Sequence, residues 1–187
     1  DTTAYVVLMA AYKILLSRWS RQKDICVGMP VAGRTRPEVE GLIGFFVNTL
    51  VIRTQQTGKP TFENFVRQVR EKVLGAQSHQ DVPFEVLVEE LNVPRNLSFA
   101  PIYQVALSYT SSEGTAGNVV LGGLEISPLD AELRGARSEM ALMLADHGSV
   151  IKGIIEYNTD LFDRDTIQLF VSHLTRLLQA FTRHPDA

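Results

Sequence analysis

Residues that build metal sites and covalent cross-links are scarce in this sequence. Its 187 residues include one cysteine, Cys26, so no disulfide can form within the chain, which fits a reducing cytoplasm. Cys26 falls in a predicted buried strand, where we expect a small core side chain rather than a nucleophile. The four histidines share no zinc-site spacing with one another or with Cys26. The sequence therefore predicts neither a metal site nor thiol chemistry.

Concentrated positive charge, long apolar runs and common catalytic motifs are also absent. The net charge is −3, with lysine and arginine scattered among acidic residues, which argues against nucleic acid as the partner. No apolar run is long enough to cross a bilayer and no signal peptide is recognisable, so we expect no membrane partner and a cytoplasmic location. The sequence contains no complete phosphate-binding loop and no G-x-S-x-G elbow. Because the chain begins without methionine, we expect it to be part of a longer protein.

What the sequence does contain is an alternation of helical and strand patterns. Apolar residues at helical spacing follow Thr61 and Asp163, two plausible N-caps, and strand-like patterns lie between the helices. The predicted helices cover 3–19, the stretch after Thr61, a short segment from Pro83 and the stretch after Asp163. The predicted strands cover 25–31, 45–53, 102–109 and 119–126, with a polar loop over 32–41 and a hairpin over 140–157. This order predicts an α/β fold, a mixed-sheet sandwich with flanking helices.

Two polar residues interrupt one of these strands. Asn48 and Thr49 lie in the middle of the apolar segment 45–53, where a strand that only packs would carry valine or isoleucine. A buried amide without a hydrogen-bond partner costs about 1–3 kcal/mol, so Asn48 should have one. Two partners stay open: a neighbouring loop, or something that passes the strand and needs a polar group.

One pair of titratable side chains has the spacing of a catalytic couple. His79 and Asp81 could act as a general base and the acid that orients it. The alternative is that both residues cap the end of the preceding helix and fix the turn into Pro83. We favour this structural role, because the pair lies between a helix end and a helix that starts at proline.

Five segments, in order, resemble the condensation domains of nonribosomal peptide synthetases. They are 24–34 (DICVGMPVAGR), 43–53 (IGFFVNTLVIR), 79–85 (HQDVPFE), the residues Arg95, Ser98 and Pro101 before 102–105 (IYQV), and 157–162 (YNTDLF). Where the family has Lys-Phe-Asp-Leu, this chain has 137–140 (RSEM). The family's HHxxxDG signature, which belongs to the N-terminal half, is absent. The resemblance therefore implies that 1–187 is part of the C-terminal lobe, without the N-terminal catalytic lobe.

The resemblance implies a fold and a reaction. Such domains resemble a pseudo-dimer of two chloramphenicol acetyltransferase-like lobes, with a tunnel that admits two phosphopantetheine arms. The amine on the acceptor arm attacks the thioester on the donor arm, and a peptide bond forms. Both arms are tethered to peptidyl carrier domains, so the resemblance implies no bound cofactor. It also implies that this chain holds no catalytic residue, is inactive alone, and has the N-terminal lobe and carrier domains as partners.

The resemblance also implies roles for individual residues. Arg34, Asn48 and Thr49 become candidates for the border of the channel. A structural role falls to the other motif residues, which are His79, Gln80, Asp81, Pro83, Phe84, Glu85, Arg95 and Ser98. Two alternatives stay open for the whole chain: a non-catalytic lobe that docks carrier domains, and part of a related epimerisation domain. A lobe cut from its partner exposes apolar surface and, around 102–126, strand edges, so we expect the fragment to self-associate.

Overall fold

The computed structural model describes most of the chain. The described residues are 2–58, 60–94, 96, 99–111, 119–121, 124–126, 135–136, 138–184 and 186, with 119–121 and 124–126 described through their backbone. The elements are α1 (Ala4–Ser20), β1 (Asp24–Val31), α2 (Pro37–Glu40), β2 (Asn48–Gln55), α3 (Phe62–Gln77), α4 (Phe84–Glu90), β3 (Val105–Ser111), β4 (Val119–Leu121), β5 (Leu124–Ile126), β6 (Met140–Asp146), β7 (Ile151–Tyr157) and α5 (Arg164–Arg183). Within these ranges, no helix combines the length and the apolar character needed to cross a membrane.

A mixed five-stranded sheet forms the centre of the fold. Its strand order is β2-β1-β3-β6-β7. β1 pairs antiparallel with β2 and parallel with β3, while β6 pairs parallel with β3 and antiparallel with β7. β4 and β5 pair with each other in a separate two-stranded sheet. The predicted α/β fold with a mixed sheet and flanking helices is confirmed, as is the hairpin over 140–157.

The strand predicted over 45–53 begins later than its apolar pattern indicates. β1 ends at Val31, whose register partner is Asn48. Residues before Asn48 therefore have no neighbouring strand to pair with, and β2 starts at Asn48. The segment 42–47 is consequently a loop, although its composition is that of a strand.

Other predicted boundaries also change. The strand expected from Ile102 starts at Val105, because Ile102 has a φ of 68°, a left-handed conformation that strands do not contain. The single strand expected over 119–126 is the pair β4 and β5, and the loop expected over 32–41 contains the helical turn α2. The sequence predicts open strand edges around 102–126. In β3, Val105 and Ala106 pair with both β1 and β6, whereas residues 107–111 pair with β6 alone. β2 and β7 are the outer strands of the described sheet.

Helices α1 and α3 cover one face of this sheet, and α5 packs on α1. α1 packs against β1, α3 and α5, and α3 also packs on β2. Alternate residues of the strands point toward the helices, and Val27, Ile52 and Leu107 among them are fully buried. The predicted N-caps of α3 and α5 are confirmed, since Thr61 Oγ1 and Asp163 Oδ1 accept first-turn main-chain N–H groups at 3.3 and 2.6 Å.

Lys13 is an unexpected member of the core. Its side chain is fully buried on α1, and its Nζ donates to the main-chain oxygens of Ile25, at 2.8 Å, and Ile52, at 2.6 Å. One amino group thus joins the first helix to both β1 and β2. Burial lowers the pKa of Lys13 to about 7, and the nearby Cys26 and Asp24 oppose this shift only in part.

The lowered pKa predicts a pH-dependent stability. An unfolded lysine has a pKa of about 10.4, so between about pH 7 and about pH 10 the unfolded chain binds more protons than the folded chain. The free energy of unfolding should therefore rise with pH across this window, by at most about 1.4 kcal/mol per pH unit, and Lys13 should add no slope below it. Urea denaturation at a series of pH values measures the slope. Lys13→Met should flatten it, whereas Lys72→Met, which changes an exposed lysine of α3, should not. Equal slopes for the original chain and Lys13→Met would contradict this assignment.

Candidate functional site

The side chain of Asn48 joins two of the motif segments. Its Nδ2 donates to the main-chain oxygens of Gln80, at 2.9 Å, and Val82, at 2.8 Å. Its Oδ1 accepts from the main-chain nitrogens of Thr49, at 2.9 Å, and Phe84, at 3.1 Å. Both hydrogens and the oxygen of the amide are therefore used.

These bonds fix the connection between α3 and α4. Residues 78–82 form turns and contribute no strand pairing, and among the described residues no main-chain N–H donates to the oxygens of Gln80 and Val82, which therefore need another partner. Phe84 is the first residue of α4, and its N–H has no acceptor within the helix. Asn48 satisfies both needs. Of the two partners that the sequence left open, the neighbouring loop is present, and a role of Asn48 at the border of a channel stays a prediction.

Aromatic rings extend this contact to β1. The ring of Phe84 packs edge-to-face on Tyr103, with centroids 5.5 Å apart. The ring of Tyr103 lies over Gly28, where a Cβ would come within 2.5 Å of it. Glycine is the residue that leaves room for this stack. The segments 24–34, 79–85 and 102–105 thus meet beside Asn48.

Arg34 organises the loop that precedes β2. Its guanidinium donates to the main-chain oxygens of Val39 and Glu40 and lies 4.4 Å from the centre of the Phe46 ring. Gly33 has a φ of 65°, and a Cβ there would fall 1.8 Å from the main-chain oxygen of Phe46. The Gly-Arg pair at the end of segment 24–34 therefore holds segment 43–53 in place.

An ion pair fixes the opposite end of the same two strands. Arg53, the last residue of segment 43–53, contacts Asp24, the first residue of segment 24–34, with Nη2 and Oδ2 2.6 Å apart. The hydrogen bonds from Arg53 and Gln55 lower the pKa of Asp24 to about 2. Because both side chains are exposed, the pair contributes little to stability, and we assign it to the register of β1 and β2.

His79 and Asp81 are not brought together. The Nδ1 of His79 lies 2.9 Å from the main-chain oxygen of Gly75, in the last turn of α3. A carbonyl oxygen can only accept, so Nδ1 carries the proton in this contact. Asp81 is exposed and makes no side-chain hydrogen bond or ion pair to another described residue. The geometry matches a helix-end contact for His79 and gives it no orienting acid. The structural role of both residues stays a prediction.

The remaining motif residues occupy supporting positions. Thr49 is half-buried in β2, opposite Pro30 of β1. Pro83 is the N-cap residue of α4, and Glu85 is exposed in its first turn, where a carboxylate stabilises the positive end of the helix. The other two motif residues, Arg95 and Ser98, lie outside the described residues.

Sequence reasoning missed two features of this region. Tyr103 covers β1, and the isolated Gly28 in a strand pattern was the available signal, since such a glycine indicates a close approach. The sequence pattern predicts a strand from residue 45, yet residues 42–47 form a loop that exposes large apolar side chains; Phe45 is 89% exposed, and Leu42, Ile43 and Val47 are also exposed. Exposed large apolar side chains that lie this close together in the sequence are typical of a surface that another part of a protein covers.

The arrangement around Asn48 favours binding over proton transfer. Its hydrogen bonds are all made to main-chain groups. His79 and Asp81, the candidate base and acid among the described motif residues, do not bond to each other. The exposed part of this region is the 42–47 loop.

Known sequences include clear relatives of this chain. The family model described as Condensation domain matches residues 1–187. A linear gramicidin synthase protein of Brevibacillus parabrevis is 43% identical over 181 residues, which are 96% of this chain and 4% of that protein. Tyrocidine synthase 3 of the same organism is 38% identical over 185 residues, which are 99% of this chain and 3% of that protein. The chain thus spans only a few per cent of the length of these relatives.

Solved structures share the fold. The crystal structure of the X-domain from teicoplanin biosynthesis superposes with a TM-score of 0.90 at 29% identity, covering 100% of this chain and 43% of that one. The X-domain in its complex with OxyB, also from teicoplanin biosynthesis, superposes with a TM-score of 0.85 at 28% identity, covering 100% and 41%.

The bonds of Asn48 predict the effect of a nearly isosteric substitution. Asn48→Asp keeps an acceptor for the Phe84 N–H but replaces the two donated hydrogens with an oxygen that faces two carbonyl oxygens. We expect the free energy of unfolding to fall by about 1–3 kcal/mol, measured by urea denaturation at neutral pH. The matched control is Asn64→Asp, at an exposed position in the first turn of α3, which should not lower stability, because its Oδ1 accepts from Arg67 and a carboxylate suits the start of a helix. Equal effects of the two substitutions would contradict the role of Asn48.

Proposed function

The chain belongs to the condensation domain family, and from this we propose that it forms the C-terminal half of a domain that joins carrier-bound aminoacyl or peptidyl thioesters by an amide bond. In this reaction the acceptor amine attacks the thioester carbonyl, a C–N bond forms, the C–S bond breaks, and the donor thiol leaves with a proton. The substrates are held on phosphopantetheine arms of separate carrier domains, and the chain binds no cofactor of its own.

One observation carries the proposal that this is a lobe. The whole chain superposes on the X-domain, yet it accounts for only 43% of that structure. The remainder of such a fold would be a second lobe of similar size. The absence of a His-His pair from the sequence agrees with this division, since the resemblance assigns the catalytic signature to the N-terminal lobe.

The role of this lobe is positioning. Two reactants held on tethers react as if at a very high effective concentration, so a lobe that shapes the tunnel contributes to the rate without supplying an acid or base. We propose that Arg34, Asn48 and Thr49 border the tunnel. Support comes from their place at one end of β1 and β2, beside the exposed 42–47 loop. This loop would be covered by the N-terminal lobe, and in a free lobe it would promote self-association.

A second candidate function is a non-catalytic docking lobe. The observation that favours it is the complex of the X-domain with OxyB, in which a domain of this fold binds another protein. In that case the 42–47 loop would serve as a contact for a carrier or other partner domain, and no amide bond would form. The two candidates differ in whether a catalytic lobe restores turnover.

A reconstitution experiment tests the proposed function. Two carrier domains loaded with aminoacyl thioesters are incubated with this chain alone, with an N-terminal condensation lobe alone, and with both. We expect dipeptidyl thioester only in the mixture, because the catalytic histidines and the second wall of the tunnel come from the added lobe. The matched control is the same lobe with its His-His pair changed to alanine.

The outcomes separate the candidates. Turnover by this chain alone, above the uncatalysed background, would contradict the assignment of catalysis to the other lobe. No turnover in the mixture, together with binding of carrier domains to this chain, would favour the docking lobe. Turnover that depends on both lobes and on the added histidines supports the proposal.

A further inference from the structure

A second surface lies at the other end of β2, away from Asn48. A groove of about 670 Å³ opens where α1 ends and α3 begins, and Gln56, which directly follows β2, lines it. Its volume lies within the range of about 300–1,000 Å³ that is usual for binding clefts. The apolar part of the lining includes Phe62 and Phe181, whose rings stack with centroids 3.7 Å apart. We call this surface the basic groove.

The charged side chains at the rim of the basic groove are all positive. Arg18, Arg21 and Lys23 line it, and no aspartate or glutamate does so among the described residues. None of the three side chains makes a salt bridge or hydrogen bond with another residue that the structure describes. The chain as a whole has a net charge of −3, so the charge of this cluster is opposite in sign to the net charge of the chain. Three such cations around one groove leave an attractive potential for an anionic group.

The helices strengthen this potential only in part. The α3 helix begins at the groove with Thr61 and Phe62, and a helix N-terminus favours negative charge. Arg18 lies in the last turn of α1 and Arg21 is its C-cap residue, where cations stabilise the helix end, so two of the three charges have a structural explanation. Lys23 follows α1 and has no such role. All three add charge to the groove without a side-chain partner in the described part of the chain.

We propose that the basic groove binds an acidic peptide segment that also carries apolar side chains, supplied by a neighbouring domain of the same synthetase. Charge complementarity selects acidic residues for the rim, and the phenylalanine-lined floor selects apolar side chains rather than a free phosphate. In the relatives, the region that matches this chain is only 3% to 4% of the protein, so other parts of the same polypeptide are available to supply the segment. The source of the segment follows from family membership and is independent of which lobe performs the chemistry.

Peptide binding to the ¹⁵N-labelled chain tests this inference. The probe is a short peptide of alternating glutamate and leucine, and the comparison peptides alternate lysine or serine with leucine. We expect the glutamate peptide to shift the amide signals of Arg18, Arg21 and Phe62, and we expect the other two peptides to leave these signals unchanged. Raising the salt concentration from about 50 mM to about 500 mM should weaken binding, because the rim charges are exposed.

Charge reversal with a matched control completes the test. Arg18→Glu/Arg21→Glu should weaken binding of the glutamate peptide at least about tenfold, measured by fluorescence anisotropy. Arg70→Glu/Lys72→Glu makes the same change in net charge on the exposed side of α3 and should leave the affinity unchanged. Circular dichroism verifies that both variants fold.

Four results would overturn the inference. They are no shift of the groove amides by the glutamate peptide, equal binding of the serine peptide, equal loss in both charge-reversal variants, and displacement of the peptide by inorganic phosphate at equal concentration. The last result would make the groove a small-anion site. None of these measurements uses condensation activity, so a failure here is separate from a failure of the proposed function.

Discussion

The hydrogen bonds of the Asn48 side chain are the interaction on which the rest of the site depends. β2 begins at this residue because β1 ends opposite it, so the amide stands at the last paired position of the two strands. From there it holds the turn after α3 and the first N–H of α4. Phe84 is thereby placed against Tyr103, and Tyr103 against Gly28. One polar residue thus joins segments that are far apart in the sequence.

The same end of the sheet explains why the site contains so little acid–base chemistry. The amide of Asn48 is occupied in holding main-chain segments, and the guanidinium of Arg34 is bound to the loop before β2. The features left for a partner to recognise are the shape of this end of the sheet and the apolar 42–47 loop. At the other end of β2, by contrast, the cations of the basic groove have no side-chain partner among the described residues. The chain therefore offers two surfaces of different chemistry at the two ends of one strand, and Lys13 joins that strand to β1 and α1 from within the core.

The sequence predicted the fold better than the details of the site. Helix α5 and the β6–β7 hairpin follow from periodicity and caps, because their patterns are local. The start of β2 does not follow from its local pattern, because it is determined by the residue at which β1 ends. The stack of Tyr103 on Gly28 and the burial of Lys13 likewise depend on contacts between distant segments, which composition and spacing do not contain. The need for a partner of Asn48 was predictable from burial, but the identity of that partner was not.

Amide hydrogen exchange gives the most direct measurement of the central claim, that Asn48 holds α4 and the turn before it. Phe84 and Glu85 both lie in the first turn of α4, where main-chain N–H groups have no acceptor within the helix. The N–H of Phe84 is bonded to Asn48, whereas that of Glu85 has no partner among the described residues. We predict that the Phe84 amide exchanges at least about tenfold more slowly than the Glu85 amide. Equal exchange of the two amides, or protection of Phe84 that persists in Asn48→Ala, would contradict it.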